Sequence, residues 1–345
     1  MTGQMPLEKI DEFHILVVVT PHFNIAATMS FLDPFRAANY IEGKSFFHWS
    51  IVSERGGPCL ASNGVTIETG TLSGIRGKSP DLVMLSTSWT PESFSSAALH
   101  ANLWRLARSG SNVGALDTGA FILADAGLLD GRRATVHYEH LDAFGERFPD
   151  IEVCDDLFVF DQGRITCSGG TAAGECALLL LSEFRGKGLA NAAAKYLFVQ
   201  GVRPAGTRQA AESSEPFGRR IPEKLFRAID LMEKNLEEPL RISEVCRQVK
   251  VSHRQLDRLF RRYVKAPPST YYRDIRLDRA RGLVTQTELP LSQVALASGF
   301  SSQVHFSRAY KARFGISPRT DRVEGRVPFE FRSWPMHRVP QGQSS

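Results

Sequence analysis

The chain has 345 residues and a formal net charge of +5, which conceals two halves of opposite sign. Residues 1–216 hold 17 Lys and Arg against 24 Asp and Glu, a net of −7, whereas residues 217–345 hold 25 against 13, a net of +12. This asymmetry indicates nucleic-acid binding for the second half alone. No apolar run reaches 18 residues, which excludes a helix that spans a membrane.

The beginning of the chain, MTGQMPLEKIDEF, is too polar for a secretory signal. The five cysteines form no CxxC pair and show no spacing typical of metal ligands, so we expect reduced, mostly buried thiols at positions 59, 154, 167, 176 and 246. These features predict a cytoplasmic protein with no disulfides, no metal site and no cofactor.

Short apolar runs alternate with amphipathic stretches over the first two hundred residues. The runs predicted as buried strands are His14–Thr20, Trp49–Ser53, Asp81–Thr87 and Val113–Leu116. The stretches predicted as helices are Ile25–Tyr40, Glu92–Ser109, Gly119–Leu129 and Thr171–Phe184. Strands that alternate with helices indicate βα units, and therefore an α/β domain whose largely parallel sheet carries helices on both faces.

The turn after the fourth predicted strand has the plan of a nucleophile elbow, in which one polar residue separates an apolar strand from a small-residue helix start. Asp117 occupies the elbow and Thr118 follows it, at the sheet edge where ligand sites of α/β proteins form. A hydrolase would need Cys or Ser here. We expect the neighbouring helix N-terminus to lower the pKa of Asp117 and to keep it ionised as a partner for a cation. An Asp at this place also suits a helix N-cap, and both interpretations stay open.

Three aromatic residues near predicted strand ends, Phe23, Trp89 and Tyr138, could face a methylated ammonium group. For each of them, a place in the core is the more common one. Trp89 is the best candidate, because it follows a strand and precedes a Pro-led helix start in STSWTPESF.

Residues 242–264 and 291–314 are two versions of one pattern. Its matching positions pair Ile242 with Leu291, Val245 with Val294, Leu256 with Phe306, Arg258 with Arg308 and Phe260 with Tyr310. Each copy has a short apolar-periodic helix, a small-residue turn and a strongly basic second helix of the kind that a major groove admits. A further helix, Ser269–Leu283, joins the copies into one all-α module. A merely solvated helical bundle would have no reason to repeat arginines at matching places.

Residues 221–322 resemble the AraC/XylS family of transcription regulators, through the run LASGFSSQVHFSRAYKARFGISPRTDR and its aromatic-x-x-x-F-G-x-S-P spacing. The resemblance implies base-reading side chains on the outer face of each second helix, at Arg254, Asp257, Arg258, Gln303, Ser307 and Arg308. Arg and Gln have the geometry to read guanine and adenine. Asp257 departs from this chemistry, and it could instead be an intrahelical partner of Arg254 or Arg261. The basic residues expected to contact phosphates are Arg261, Arg262, Lys265, Lys311 and Arg313.

Residues 13–200 resemble the class I glutamine amidotransferase/PfpI-type domain found in GlxA-like regulators. The matching stretches are FLDPFRAAN, ASNGVTI, AGLLDGRRATVHYEH and RITCSGGTAA. The resemblance implies a flavodoxin-like parallel-sheet sandwich. Asp117 stands where the enzymes carry Cys, and His137 falls where their His would come, with no thiol to activate.

Together the resemblances imply a sensing and dimerisation domain (10–201), a flexible linker (202–220), a double helix-turn-helix domain (221–322) and a poorly ordered tail (323–345). They imply a transcription regulator of the bacterial nucleoid that is controlled by an amino acid or quaternary amine, such as arginine, glycine betaine, carnitine or sarcosine. Its expected partners are promoter DNA, the effector, RNA polymerase and a second copy of the chain. The alternative is a PfpI-type hydrolase or amidase tethered to DNA. Asp117 argues against it, and Cys154 and Cys167 lie elsewhere in the pattern.

Overall fold

The computed structural model describes residues 12–75, 78–209 and 222–324, and these divide into two units, 12–209 and 222–324. The polar N-terminal segment as far as residue 11, the predicted linker from residue 210 onward and the predicted tail after residue 324 lie outside the described residues.

The first unit alternates strands and helices along the chain. Its described strands, β1 to β10 in chain order, are Phe13–Val19, Phe47–Ser53, Gly57–Leu60, Thr66–Thr71, Leu82–Thr87, Asn112–Asp117, Arg133–Ala134, Glu152–Val153, Phe158–Asp161 and Arg164–Cys167. Its described helices, α1 to α6, are Ile25–Glu42, Ala97–Arg108, Gly119–Asp125, Leu141–Arg147, Ala172–Arg185 and Lys187–Tyr196.

Eight of these strands form one sheet in the order β3-β4-β2-β1-β5-β6-β10-β9, and β7 pairs separately with β8. The six strands from β4 to β10 in this order are mutually parallel, whereas the edge strands β3 and β9 are antiparallel to their neighbours. The predicted α/β class is therefore confirmed. The edge hairpins were not predicted, because their strands are short and only partly apolar. Since β2 and β5 lie on opposite sides of β1, the strand order reverses between β1 and β5, and this reversal creates a crevice at the carboxyl ends of the strands.

The sheet has a hydrophobic core on each face. Along β1, Ile15, Val17 and Val19 belong to the core with α1, α5 and α6, whereas Leu16 and Val18 belong to the core with α2, α3 and α4. Burial on both faces explains why this strand is a continuous apolar run and not an alternating one.

The second unit is helical. Its described helices, α7 to α13, are Glu223–Glu233, Ile242–Gln248, His253–Tyr263, Pro268–Gln286, Leu291–Ala297, Gln303–Phe314 and Pro318–Glu324. Two separate cores hold it together. Tyr272 of α10 packs with α7, α8 and α9, whereas Leu277 and Leu283 of the same helix pack with α11 and α12. The helix that was predicted to join the two copies therefore contributes to both.

The two copies bury the same positions. Leu256 and Phe260 of α9 are fully buried, as are Phe306 and Tyr310, their counterparts in α12. Gly299 in the second turn has φ +73°, and a Cβ there would lie 2.5 Å from the carbonyl oxygen of Leu236, so this tight packing requires glycine.

Candidate functional site

Asp117 is the last residue of β6 and sits on a strained turn. Its φ of +60° is unusual for a residue with a Cβ, and it lifts the side chain above the sheet edge as an elbow does. The side chain is nevertheless buried, with 5% of the residue exposed. Gly169 closes one side, since a Cβ on this glycine would lie 3.1 Å from the Cβ of Asp117.

The carboxylate is held by polar groups from neighbouring strand ends. The Asn24 amide donates to Oδ2 of Asp117 at 2.7 Å, while its own oxygen accepts from the Ala27 amide and caps α1. Ser88, just after β5, also hydrogen-bonds the carboxylate. Asn24 follows β1, so the three residues come from three adjacent parallel strands, β1, β5 and β6.

Burial raises the pKa of Asp117 from 3.8 to about 6. The nearby His137 and the hydrogen bonds from Asn24 and Ser88 oppose this shift, whereas the charge of Glu139 adds to it. The expectation of a lowered pKa was therefore wrong in direction, because loss of hydration outweighs the helix terminus and the hydrogen bonds.

Asp117 is also not the helix cap. The N-cap residue of α3 is Thr118, and no side chain caps that helix. The Thr118 hydroxyl instead donates to the carbonyl of Ser88, which fixes the elbow against the end of β5. The capping interpretation of Asp117 is thus not supported, and its carboxylate remains available for another role.

A layer of buried hydroxyl groups lies at the same sheet edge. The hydroxyl of Thr20 pairs with that of Thr87, and the hydroxyl of Thr28 lies 2.8 Å from that of Ser86 and donates to the Asn24 carbonyl. The first pair joins the ends of β1 and β5, where the strand order reverses, and the second joins α1 to β5. Together they form a buried polar layer at this edge of the sheet.

The predicted aromatic residues lie in three different environments. Phe23 is fully buried in the core, so its assignment to a ligand cage is corrected to a packing role. Trp89 is half-buried and directly follows Ser88. Tyr138 is 61% exposed, with its ring 4.6 Å from the ring of His137.

His137 lies near enough to Asp117 for their charges to interact, at the place where the resemblance puts the enzymes' His, and two further side chains lie beside it. Its Nδ1 is 3.9 Å from Oε2 of Glu139, and the ring of His140 is 6.2 Å from its own. Sequence reasoning missed Asn24, Ser88 and Glu139. The sequence offered one sign of their role. Asn24 and Ser88 follow predicted strands, and Glu139 follows His137 closely.

The basic helices of the second unit display most of the predicted DNA-contacting side chains. Exposed residues on α9 and α12 include Arg254, Arg258, Arg261, Gln303, Arg308 and Lys311, whereas Ser307 is half-buried. The Ser252 hydroxyl caps α9 in a reciprocal capping box with Gln255, so the amino end of this helix is well defined.

Two charged residues have partners within the unit. Asp257 accepts from Nε of Arg261 at 2.7 Å, which is the intrahelical pairing left open by the sequence. Arg313 reaches back to α10 and binds Asp278 at 2.6 Å and Asp274 at 3.0 Å. Its expected role at phosphates is therefore corrected to that of an interhelical ion pair.

Residues 245–323 match the helix-turn-helix domain family, and residues 14–183 match the DJ-1/PfpI family. Over 307 residues, 89% of this chain and 90% of the relative, the sequence is 39% identical to the HTH-type transcriptional regulator CdhR of Pseudomonas aeruginosa. The chain belongs to the AraC-family regulators with a DJ-1/PfpI-like N-terminal domain.

Other members of the family show the same relationship. The regulator is 34% identical to the HTH-type transcriptional regulator GlxA of Rhizobium meliloti over 86% of this chain and 91% of the relative. It is 44% identical to the HTH-type transcriptional regulator ArgR of Pseudomonas aeruginosa over 70% of this chain and 74% of the relative. A THiJ/PfpI family protein from Pseudomonas syringae, 20% identical, shares the fold with a TM-score of 0.50 over 68% of this chain and 93% of its own. Within the described parts of the regulator, no helix is both long and apolar enough to cross a bilayer.

Proposed function

We propose that the first unit is a receptor for a small cationic metabolite, an amino acid or a quaternary amine, and that its occupancy controls transcription through the second unit. The observation that carries this proposal is the buried carboxylate of Asp117. Among the described residues, no Lys or Arg forms an ion pair with it. Because a buried unpaired charge is costly, a ligand ammonium that neutralises Asp117 would gain a strong, specific contact.

The same residue argues against catalysis. A carboxylate at the elbow is a poor acyl nucleophile, and it leaves His137 without an elbow thiol to activate. Cys167 is buried at the end of β10, and burial raises the pKa of the Cys154 thiol, which keeps it protonated. We infer that the enzyme-like fold serves binding alone.

A strap that ends at Gln209 connects the site to the rest of the chain. In this strap, residues 203–209, the backbone carbonyl of Thr207 accepts from the Leu157 amide at 2.8 Å, and Arg203 forms a bidentate ion pair with Glu175. The Gln209 amide group donates to Oγ1 of Thr135 at 2.9 Å and to the carbonyl of Val136 at 2.8 Å. Val136 directly precedes His137. A shift of His137 on ligand binding would therefore displace Val136 and alter its hydrogen bond with Gln209. We also place the end of the sensing domain at Gln209 and not at residue 201.

The second unit is proposed to read promoter DNA with both basic helices and to act with RNA polymerase in the cytoplasm. The base-reading side chains are proposed to be Arg254, Arg258, Gln303, Ser307 and Arg308, with Arg261 and Lys311 at phosphates. A homodimer would place two such units on repeated half-sites.

A thermal-shift screen of the full chain tests the receptor. Amino acids and methylated amines are compared with neutral analogues of the same size. A ligand at 100 times its dissociation constant should stabilise the protein by about 2.7 kcal/mol, or about 5–10 °C in Tm for a domain of this size. Stabilisation by anionic or neutral compounds but by no cation would overturn the proposal, and turnover of a compound would favour the hydrolase instead.

A further inference from the structure

The segment after β7 brings three metal-ligating side chains together. One nitrogen each of His137 and His140 and one carboxylate oxygen of Glu139 all lie within 4.8 Å of one another. Within the parts of the chain that the structure describes, this is the one such group of His, Cys, Asp or Glu residues. All three side chains reach solvent at least in part.

A tight turn creates this juxtaposition. The carbonyl of His137 accepts from the His140 amide at 2.8 Å, and residues Tyr138–His140 form one turn of 3-10 helix. His137 is the N-cap of this turn, and the turn brings the ring of His140 back to 6.2 Å from the ring of His137, with Glu139 between them in sequence. The three side chains are therefore held together by one local turn of the backbone and not by contacts between loops that are distant in sequence.

We propose that His137, Glu139 and His140 bind a late first-row divalent metal ion of the Zn²⁺ class beside Asp117. Two imidazoles and a carboxylate are a common protein ligand set for this class, and they leave at least one coordination position open to an outside molecule. Ligand atoms around tetrahedral zinc lie about 3.3 Å apart, given bonds of about 2.0–2.1 Å. The three partly exposed side chains, whose ligand atoms now lie within 4.8 Å of one another, would rotate toward that spacing on binding the ion. The proposal departs from the expectation of no metal site, which considered the cysteines only.

The test is a titration of tag-free, full-length protein that has been stripped with a chelator. Calorimetry with Zn²⁺ alone should show one ion per chain, and Co²⁺ should give the intense visible absorption of a four- or five-coordinate ion. Glu139→Gln and His140→Gln should each weaken Zn²⁺ binding by at least about tenfold. Both substitutions are at partly exposed positions, and a thermal melt of each variant establishes that it is folded.

The chain supplies a matched control in its other pair of neighbouring imidazoles. The rings of His14 and His48 are stacked 5.3 Å apart, with Glu12 near both. His48→Gln should leave Zn²⁺ affinity and stoichiometry unchanged. Absence of Zn²⁺ binding by the wild type at submillimolar concentration would overturn the proposal. So would binding that survives Glu139→Gln and His140→Gln but is lost in His48→Gln. None of these readouts depends on the effector, so this site can fail while the receptor proposal stands.

Discussion

Asp117 combines two properties that oppose each other at neutral pH. Burial favours its protonated form, whereas a cationic effector needs the ionised one. A structural carboxylate would gain nothing from this conflict. A carboxylate that binds a ligand does gain. The unpaired charge destabilises the empty site, and a bound cation removes that destabilisation, which adds to the free energy of binding.

Asp117→Asn should therefore weaken binding of the effector by roughly tenfold to a hundredfold, since hydrogen bonds to charged groups contribute about 1.5–3 kcal/mol. The substitution keeps the size of the side chain and one acceptor oxygen, and it removes the charge. Calorimetric titration measures the loss. The matched control is Asp81→Asn, because Asp81 precedes β5 at the opposite edge of the same sheet and accepts from the His14 amide. Equal affinities for wild type and Asp117→Asn would remove Asp117 from the site.

The stability of the empty protein should depend on pH through the same residue. The pKa of Asp117 is raised in the folded state, from 3.8 to about 6, so the folded chain binds this proton more tightly than the unfolded chain does. Its contribution to stability is thus full below about pH 4 and is lost as the pH rises to about 6, by roughly 3 kcal/mol in all.

Asp117→Asn, which stays neutral, should accordingly be more stable than wild type at about pH 7.5 and similar to it near pH 4. Denaturant unfolding of both proteins in the presence of a chelator measures the difference. The neighbouring residues are the same in both proteins, so the comparison isolates the carboxylate of Asp117. A gap between the two proteins that is the same at both pH values would contradict the assignment.

At the scale of single elements, the strap of residues 203–209 should couple the site to DNA binding. Gln209→Ala removes the hydrogen bonds to Thr135 and Val136. It should leave effector affinity nearly unchanged while the effector loses most of its influence on DNA binding, a coupling of typically about 1–3 kcal/mol. Promoter-DNA titrations with and without effector measure this influence. The control is Thr207→Ala, because the Thr207 hydroxyl bonds only within the strap, to the carbonyl of Pro204. A normal response in Gln209→Ala would show that the signal takes another route.

The exposed face of α12 should divide into base-reading and phosphate-contacting residues. Arg308→Ala is expected to cost about 1–3 kcal/mol at the cognate promoter site and little on random DNA. Lys311→Ala, one turn further along the same helix, should weaken both complexes about equally and reduce their salt dependence. Fluorescence anisotropy with the two DNAs at several salt concentrations gives both quantities. If the two variants behave alike on both DNAs, the division of this face is wrong.

For the whole molecule, exposed aromatic side chains on the first unit offer places for contact with a second copy. Tyr40 at the end of α1 and Phe198 just after α6 are 68% and 92% exposed, and the ring of Tyr196 lies 5.3 Å from that of Tyr40. Aromatic side chains contribute strongly to association when they are removed from water.

Phe198→Ser should therefore shift the full-length chain from dimer toward monomer at micromolar concentration, as measured by sedimentation equilibrium. Val65→Ser is the control, since Val65 is 49% exposed and lies on the loop between β3 and β4. A wild type that sediments as a monomer, or a variant that stays as dimeric as wild type, would exclude this surface as the interface.

The sequence by itself determined the central elements and their class, because these depend on neighbours within one turn or one pleat. The apolar runs gave the central strands, and the repeated pattern gave both helix-turn-helix units with the same buried positions, such as Leu256 and Phe306. The elbow placed Asp117 at a sheet edge. The charge asymmetry separated the two halves without any knowledge of contacts.

Only the tertiary structure decided how these residues behave. The pKa of Asp117 rises because the whole sheet edge excludes water, and its partner Asn24 lies 93 positions away in the chain. Arg313 was predicted to contact phosphates, but it forms ion pairs with carboxylates on α10. One of these, Asp278, is 35 positions away in the sequence. Periodicity reports which side of an element is buried. Desolvation and ion pairing depend on which groups from distant parts of the sequence lie next to a residue. Only the tertiary fold determines those neighbours.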